Sequence, residues 1–160
     1  MRVQKKPQKW NFSMAGVQKL FSATDEEKIL QAIKDAELNT SGEIRLHLEN
    51  KCKGEVLDRA AEVFGKLEMH KTEARNGVLI YLAVQDHKFA ILGDEGIDRV
   101  ISEHFWESTR DIMMEHFRKS EFTEGLVNGI NEAGIQLKAH FPYQSNDVNE
   151  LSDDISKGDI

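Results

Sequence analysis

The sequence predicts an α/β fold built on a mixed β-sheet. Residues 78–84 form an unbroken apolar run of seven residues, which is typical of a strand that is covered on both faces. Residues 43–49 alternate between apolar and polar side chains and predict a second strand. A helical apolar stripe over roughly residues 55–69 lies between the two strands. Strand, helix and strand of this length form a crossover, so the two strands should be parallel.

A hairpin adds a third strand that runs antiparallel to its neighbour. Residues 85–87 supply turn chemistry, and residues 88–92 return as a shorter apolar strand. This strand stops at Gly93-Asp94-Glu95-Gly96, where a glycine on each side loosens the backbone around two carboxylates. The predicted sheet therefore contains both parallel and antiparallel pairs.

Helical patterns occupy the remainder of the central region. Thr24 and Glu27 form a capping box at the start of the first helix, which ends near residues 38–39. After Gly96 the apolar spacing is helical to residue 141, with a break at residues 120–122 and a cap at Thr123. The last helix contains three glycines, each of which weakens it by ~1 kcal/mol relative to alanine. We expect these glycines to permit close packing on a neighbouring helix.

The two ends of the chain differ from its centre in composition. Residues 1–21 form a basic leader that mixes cations with apolar side chains. The leader is predicted either to lie on a membrane or on another protein, or to be a frayed, partly flexible end whose last apolar residues dock on the domain. Residues 143–160 are acidic and lack periodicity, which predicts a disordered tail. The folded domain should therefore span residues 22–142.

Composition and motifs exclude several classes of function. The net charge of −7 argues against a nucleic-acid partner, because phosphate binding needs clustered cations. Cys52 is the single cysteine, so no intramolecular disulfide can form. No apolar run approaches the ~18 residues of a transmembrane segment, and the leader lacks the apolar core of a signal peptide. We therefore expect a cytoplasmic location, with peripheral membrane contact through the leader as the alternative. P-loop, EF-hand and zinc-protease motifs are also absent from the sequence.

Strand direction predicts a polar cleft at one end of the sheet. Both parallel strands start at this end and the antiparallel strand finishes there, so polar groups from three separate stretches should converge. The residues expected to line the cleft are Ser41, Thr72, Arg75, Asn76, Gly93 and Gly96. Glu43, Asp94 and Glu95 would offer three carboxylates to Ca²⁺ or Mg²⁺. In the alternative interpretation, Asp94 caps the following helix, Glu43 pairs with Arg75 or Lys71, and no ion binds.

The ordered set of motifs resembles the TPM domain family. The resemblance is carried by T-S-G-E-I at 40–44, K-T and R-N-G-V-L-I-Y-L within 71–82, G-D-E-G-I at 93–97 and F-W at 105–106. It covers roughly residues 22–142 and is closest to the short, stand-alone bacterial form. The resemblance implies a three-layer α/β/α sandwich, with helices on both faces of the mixed central sheet.

The resemblance also implies two functions. Plant members of the family are linked to acid phosphatase activity and to repair of photosystem II, and some members are associated with calcium. By resemblance, Asp94 is the best candidate for a metal-binding or catalytic acid, with Glu43, Thr72 and Glu95 as its neighbours. We predict a non-catalytic module that binds a divalent cation and a protein partner, which could be membrane-associated. The alternative is a metal-assisted acid phosphatase acting on phosphomonoesters, in which Arg75 steadies the phosphate.

Overall fold

The computed structural model of this chain describes residues 16–144 and 150–158. A mixed sheet lies at its centre, and its strands are ordered β3-β2-β1-β4. The strands are β1 (Glu43–Glu49), β2 (Gly77–Ala83), β3 (Lys88–Gly93) and β4 (Ser156–Lys157). The helices are α1 (Val17–Leu20), α2 (Ala23–Glu37), α3 (Val56–Lys66), α4 (Glu95–Asp98), α5 (Glu107–Phe117) and α6 (Phe122–Lys138).

The strand pairing agrees with the sequence prediction and adds one strand. β1 and β2 are parallel, with Glu43 opposite Gly77, and β2 and β3 form the antiparallel hairpin. β4 pairs in parallel with the other edge of β1. All seven residues of β2 are buried, because this strand is central and both of its faces are covered.

Two hydrophobic clusters make the fold a three-layer sandwich. The larger cluster joins one face of the sheet to α2, α5 and α6, and it includes Ile44, Ile80 and the fully buried Trp106. The smaller cluster joins the opposite face to α3 and includes Leu79 and Ala60. Helices therefore cover both faces of the mixed sheet, as the sequence predicts.

Three local predictions are wrong, each for a physical reason. The capping box of α2 is formed by Ser22 and Asp25, two residues earlier than predicted, directly after the buried Phe21. Thr123 does not cap α6, because the helix begins at the buried Phe122. β1 is almost wholly buried and not half-buried, because residues 150–158 cover Glu43 and His47 on its polar face and Arg59 of α3 covers Glu49.

The two ends of the described chain dock on the domain. Val17 and Phe21 are buried in the larger cluster, whereas residues 1–15 of the predicted leader lie outside the described residues. The prediction of a disordered tail is wrong for residues 150–158, which lie along β1 and are called the docked segment below. Residues 145–149 and 159–160 of that tail are also outside the described residues. Within the described ranges, no helix is long and apolar enough to cross a membrane.

Candidate functional site

The predicted polar stretches do meet at one end of the sheet. Glu43 lies opposite Gly77, and the Asp94 amide donates a hydrogen bond to the Gly77 carbonyl at 2.9 Å. Asn76 ties two of the stretches together, because its Nδ2 donates to the Ser41 carbonyl at 3.2 Å. Thr72 Oγ1 in turn accepts from the Asn76 amide at 3.2 Å. The strand topology therefore brings these polar stretches together at one end of the sheet. There, Ser41, Thr72 and Asn76 form hydrogen bonds that connect the loops.

Asp94 is occupied by donors from the protein itself. Its carboxylate accepts from Arg75 Nε at 2.8 Å and from Arg75 Nη2 at 2.9 Å, a bidentate pair. Asp94 Oδ1 also accepts from the Glu95 amide at 2.7 Å and so caps α4. The Asp94 side chain is 5% exposed, whereas that of Glu95 is 54% exposed and pairs with Arg99. The arrangement of Asp94 corresponds to the capping interpretation.

The glycines beside Asp94 serve close packing of the backbone. A Cβ on Gly96 would lie 2.5 Å from the Arg75 carbonyl oxygen and closer still to that of Ala74. A Cβ on Gly93 would contact Ile97 at 3.1 Å. Gly96 is therefore required for the approach of the loop that carries Arg75, and Arg75 itself has a positive φ of 51°.

Glu43 receives hydrogen bonds from the docked segment and not from its predicted cationic partners. Its carboxylate accepts from the Glu150 amide at 3.1 and 3.2 Å and from the Leu151 amide at 3.0 Å. Burial raises the pKa of Glu43, and these two amide hydrogen bonds oppose the increase. The expected pairing of Glu43 with Arg75 or Lys71 is wrong, because the docked segment supplies the donors.

Glu37 lies beside Glu43 beneath the docked segment. Its Oε2 accepts from the Ile44 amide at 2.8 Å, and its side chain is hydrogen-bonded to Asp153. Burial raises the pKa of Glu37 to about 9, and the nearby carboxylates of Asp153 and Glu43 add to the increase. Two carboxyl groups in contact must share a proton, so Glu37 holds a proton at neutral pH.

The structure contains a second polar cluster that the sequence did not predict as a site. Glu49 is 1% exposed and accepts from Arg59 Nε and Nη2, each at 2.8 Å, and from the Tyr81 hydroxyl. His47 Nε2 lies 3.2 Å from Glu49 Oε1, and His47 Nδ1 lies 2.8 Å from Ser156 Oγ. The alternating pattern of β1 was the sequence feature that could have indicated this cluster, because its polar face carries the charged residues that lie opposite Arg59 on the crossover helix α3.

Electrostatics fix the charge states within this second cluster. Burial alone would raise the pKa of Glu49, but hydrogen bonds from Arg59, Tyr81 and His47 outweigh it and lower the pKa to about 2. Burial lowers the pKa of His47, so the imidazole is neutral at pH 7. A cavity of about 240 Å³ borders the cluster, and its lining includes His47, Arg59 and Ser156. The cluster anchors the docked segment through Ser156.

The described residues do not bring the predicted carboxylates together as a metal site. Asp94 binds Arg75, Glu43 binds the docked segment, and Glu95 extends toward solvent. Within residues 16–144 and 150–158, no group of three or more histidine, cysteine, aspartate or glutamate side chains is placed to hold a metal ion. The residue types fit a hard cation, and in the described structure protein donors engage the carboxylates of Asp94, Glu43 and Glu95.

Comparisons with known proteins identify the family. The model of the TPM domain matches residues 17–136. The NMR structure of the BA42 protein from the psychrophilic bacterium Bizionia argentinensis is 47% identical, covers 89% of this chain and 98% of its own, and has a TM-score of 0.84. The N-terminal domain of a protein from P. gingivalis is 17% identical, covers 79% of this chain and 83% of its own, and has a TM-score of 0.64.

A third solved structure extends the likeness in fold. The N-terminal domain of the cg2496 protein from Corynebacterium glutamicum is 10% identical, covers 94% of this chain and 96% of its own, and has a TM-score of 0.62. No match was found among curated proteins. The family model and the BA42 structure each cover most of the chain, and the chain therefore belongs to the TPM domain family.

Proposed function

We propose that this TPM-domain chain is a non-catalytic binding module. The proposal rests on the hydrogen bonds of Asp94, which is the best candidate for a catalytic residue. Both of its carboxylate oxygens accept hydrogen bonds from Arg75, and Oδ1 also caps α4. A nucleophile or general base needs a free lone pair directed at the substrate. Three of the roughly four acceptor sites of the Asp94 carboxylate are directed at donors of its own domain.

The proposal includes weak binding of the divalent cation that the sequence predicts. A calcium or magnesium ion at Asp94 has to compete with the Arg75 guanidinium, because a cation and a bidentate arginine need the same two oxygens. Glu95 is more accessible, although it also contacts Arg75 Nη1 at 3.5 Å. We therefore expect weak cation binding that becomes tighter when Arg75 is replaced by glutamine.

Calorimetric titration with calcium and with magnesium tests the cation part. The variants are Arg75→Gln, Asp94→Ala and, as a charge-matched control, the exposed Lys66→Gln. Tighter binding in Arg75→Gln than in Lys66→Gln, together with loss of binding in Asp94→Ala, would support a site at Asp94. Equal binding by wild type and Asp94→Ala would place the cation elsewhere.

Hydrolysis of an aryl phosphate tests whether the module is catalytic. We expect no release of phosphate above background at acid or neutral pH, with or without calcium or magnesium. Phosphate release that requires a metal and disappears in Asp94→Ala would overturn the proposal in favour of the acid phosphatase. The exposed Asp111→Ala serves as the control for loss of one carboxylate.

A further inference from the structure

Ser156 of the docked segment lies beside a histidine and a carboxylate of β1. Ser156 and His47 are opposite each other in the parallel register of β4 and β1, so their side chains share one face of the sheet. Ser156 Oγ lies 2.8 Å from His47 Nδ1, and His47 Nε2 lies 3.2 Å from Glu49 Oε1. A hydroxyl, an imidazole and a carboxylate in this order form the arrangement that activates a serine as a nucleophile.

The charge of Glu49 determines which imidazole nitrogen carries the proton. Burial would raise the pKa of Glu49, but hydrogen bonds from Arg59 and Tyr81 lower it to about 2, so the carboxylate is ionised at pH 7. An ionised carboxylate only accepts hydrogen bonds, and His47 Nε2 is therefore its donor. The imidazole then directs the lone pair of Nδ1 at the Ser156 hydroxyl, which donates to it. His47 is thus oriented as a general base for Ser156.

The main chain of the docked segment holds this arrangement in place. The Gly158 amide donates to the Leu48 carbonyl at 2.8 Å, which fixes the register of Ser156 on β1. A Cβ on Gly158 would lie 2.9 Å from His47 Nε2 and closer still to Glu49 Oε1. The backbone of this glycine therefore covers the contact that orients the imidazole, and His47 and Glu49 are only 5% and 1% exposed.

A cavity of about 240 Å³ borders Ser156. Its lining includes two apolar residues, Val63 and Leu67, and two basic residues, Arg59 and Lys66. Each class suits one part of an acyl group under attack. Apolar walls hold a hydrocarbon chain, and cations stabilise the oxyanion that forms on the carbonyl oxygen. The cavity therefore has the size and the lining for a short acyl chain.

We propose that Ser156 is an acylation site, at which the hydroxyl is activated by His47 and takes a short acyl group from an activated ester. In this step Ser156 Oγ forms a bond to the acyl carbon while its proton passes to His47 Nδ1. The bond between the acyl carbon and the leaving oxygen then breaks, and the imidazolium returns the proton to that oxygen. The products are an ester of Ser156 and a free alcohol or phenol.

The acyl group is expected to remain on Ser156. Hydrolysis would need a water molecule between the acyl carbon and His47 Nδ1, whereas the acyl chain occupies the cavity and His47 is almost inaccessible. A single acylation modifies the chain without turnover. Ser156 thus adds a modification site to the proposed binding module, at a position remote in sequence from Asp94 and its cation.

Reaction of the full chain with para-nitrophenyl butyrate tests the inference. Nitrophenol release is followed by absorbance, and the modified residue is located by peptide mass spectrometry. Ser156→Ala removes the nucleophile, and His47→Gln removes the base. Ser152→Ala is the matched control, because Ser152 lies on the same segment and is more exposed than Ser156. Circular dichroism checks that each variant is folded.

We expect release of one equivalent of nitrophenol, with the butyryl group on Ser156. Ser152 should react on the order of 100-fold more slowly despite its exposure, because the Asp154 amide, and not an imidazole, lies at its hydroxyl. Ser156→Ala should abolish the reaction at this position, and His47→Gln should slow it on the order of 100-fold. Ser152→Ala should react like wild type.

The nitrogen chemical shifts of the His47 ring provide a second measurement, which uses unmodified wild type alone. Protonated and unprotonated imidazole nitrogens are distinguished by their shifts. We expect the proton on Nε2, since Glu49 accepts from this nitrogen. A proton on Nδ1 would overturn the inference, because His47 could then take no proton from Ser156.

Three outcomes of the labelling experiment would also overturn the inference. Butyryl groups on Lys66 or other amines, with Ser156 unmodified, would show only ordinary reaction of exposed nucleophiles. Equal rates at Ser156 and Ser152 would remove the role of His47. Nitrophenol release that continues beyond one equivalent and disappears in Ser156→Ala would show turnover, which also contradicts a non-catalytic module. Phosphate release that depends on Asp94 would contradict the proposed function alone.

Discussion

Glu49 is the residue on which the β1–α3 contact depends most. Its carboxylate receives hydrogen bonds from Arg59, Tyr81 and His47 while being almost inaccessible to water. The Arg59 side chain is 22% exposed, so much of its charge is also shielded from solvent. Removing one partner of such a pair leaves the other charge poorly compensated, and the exposed Glu62 would be the remaining partner of Arg59.

We expect Glu49→Gln to lower the free energy of unfolding by about 3 kcal/mol, because Arg59 would lose its buried counterion. Urea denaturation measures the change. Glu62→Gln is the matched control, since Glu62 also pairs with Arg59 but its side chain is 56% exposed. The control should change stability by less than ~0.5 kcal/mol. Equal effects of the two substitutions would contradict the importance of burial.

At the residue scale, sequence reasoning predicted that the stretches carrying Glu43 and Asp94 lie at the same end of the sheet, but not which donors their carboxylates use. Strand direction brought Glu43 and Asp94 to the same edge, as the alternation and the hairpin indicated. The donor to Glu43 is the backbone of residues 150–151, which is 107 and 108 positions away in the chain. Side-chain types carry no information about a backbone amide that arrives from so distant a segment.

At the scale of elements, the glycines of α6 allow this helix to pack closely against α5. A Cβ on Gly129 would lie 2.7 Å from Met113 Sδ and closer still to its Cγ, and a Cβ on Gly125 would meet the Phe117 ring. Met113 and Phe117 are fully buried, so neither has room to move away. The sequence prediction that the glycines permit close packing on a neighbouring helix is confirmed.

Gly129→Ala should destabilise the protein by about 2 kcal/mol, because overpacking of Met113 outweighs the gain in helix propensity. Gly65→Ala should instead stabilise it by about 0.5 kcal/mol, because α3 gains propensity at a position with open space. Thermal unfolding of both variants measures the difference. A stabilised Gly129→Ala would show that the α5–α6 contact relaxes easily.

The elements with long apolar patterns were predictable, whereas the short ones were not. The elements β1, β2, β3, α2, α3 and α6 each span at least six residues, and their apolar patterns predicted all of them. β4 has two residues in an acidic stretch, and its pairing depends on Glu43, His47 and the sheet edge. A strand of two residues is too short to show an apolar periodicity. It pairs with a sheet edge that exists only once the domain has folded.

For the whole molecule, Glu37 links stability to pH. Its ordinary pKa of 4.5 is raised to about 9 in the folded protein by burial, with Asp153 and Glu43 facing it. Between these values the folded state binds more protons than the unfolded state. The stabilisation is therefore complete below pH 4.5 and is lost as the pH rises toward about 9.

We expect the free energy of unfolding of wild type to fall between about pH 5 and about pH 8, and Glu37→Gln to reduce this slope. The amide mimics the protonated acid and does not ionise. Glu27→Gln, on the exposed face of the same helix, should retain the wild-type slope. Urea denaturation across this pH range measures all three proteins. A Glu37→Gln variant with the wild-type slope would locate the responsible group elsewhere.

The pairing of Ser156 with His47 also has a consequence during synthesis. These residues are 109 positions apart, so β1 leaves the ribosome long before the strand that covers its edge. At ~5–20 residues per second, the interval is on the order of 5–20 s. Once β3 has also been made and has paired, the nascent chain would present an uncovered β1 edge for the rest of that time, and such edges associate with other chains. Chaperones that bind extended segments would encounter this domain at that stage.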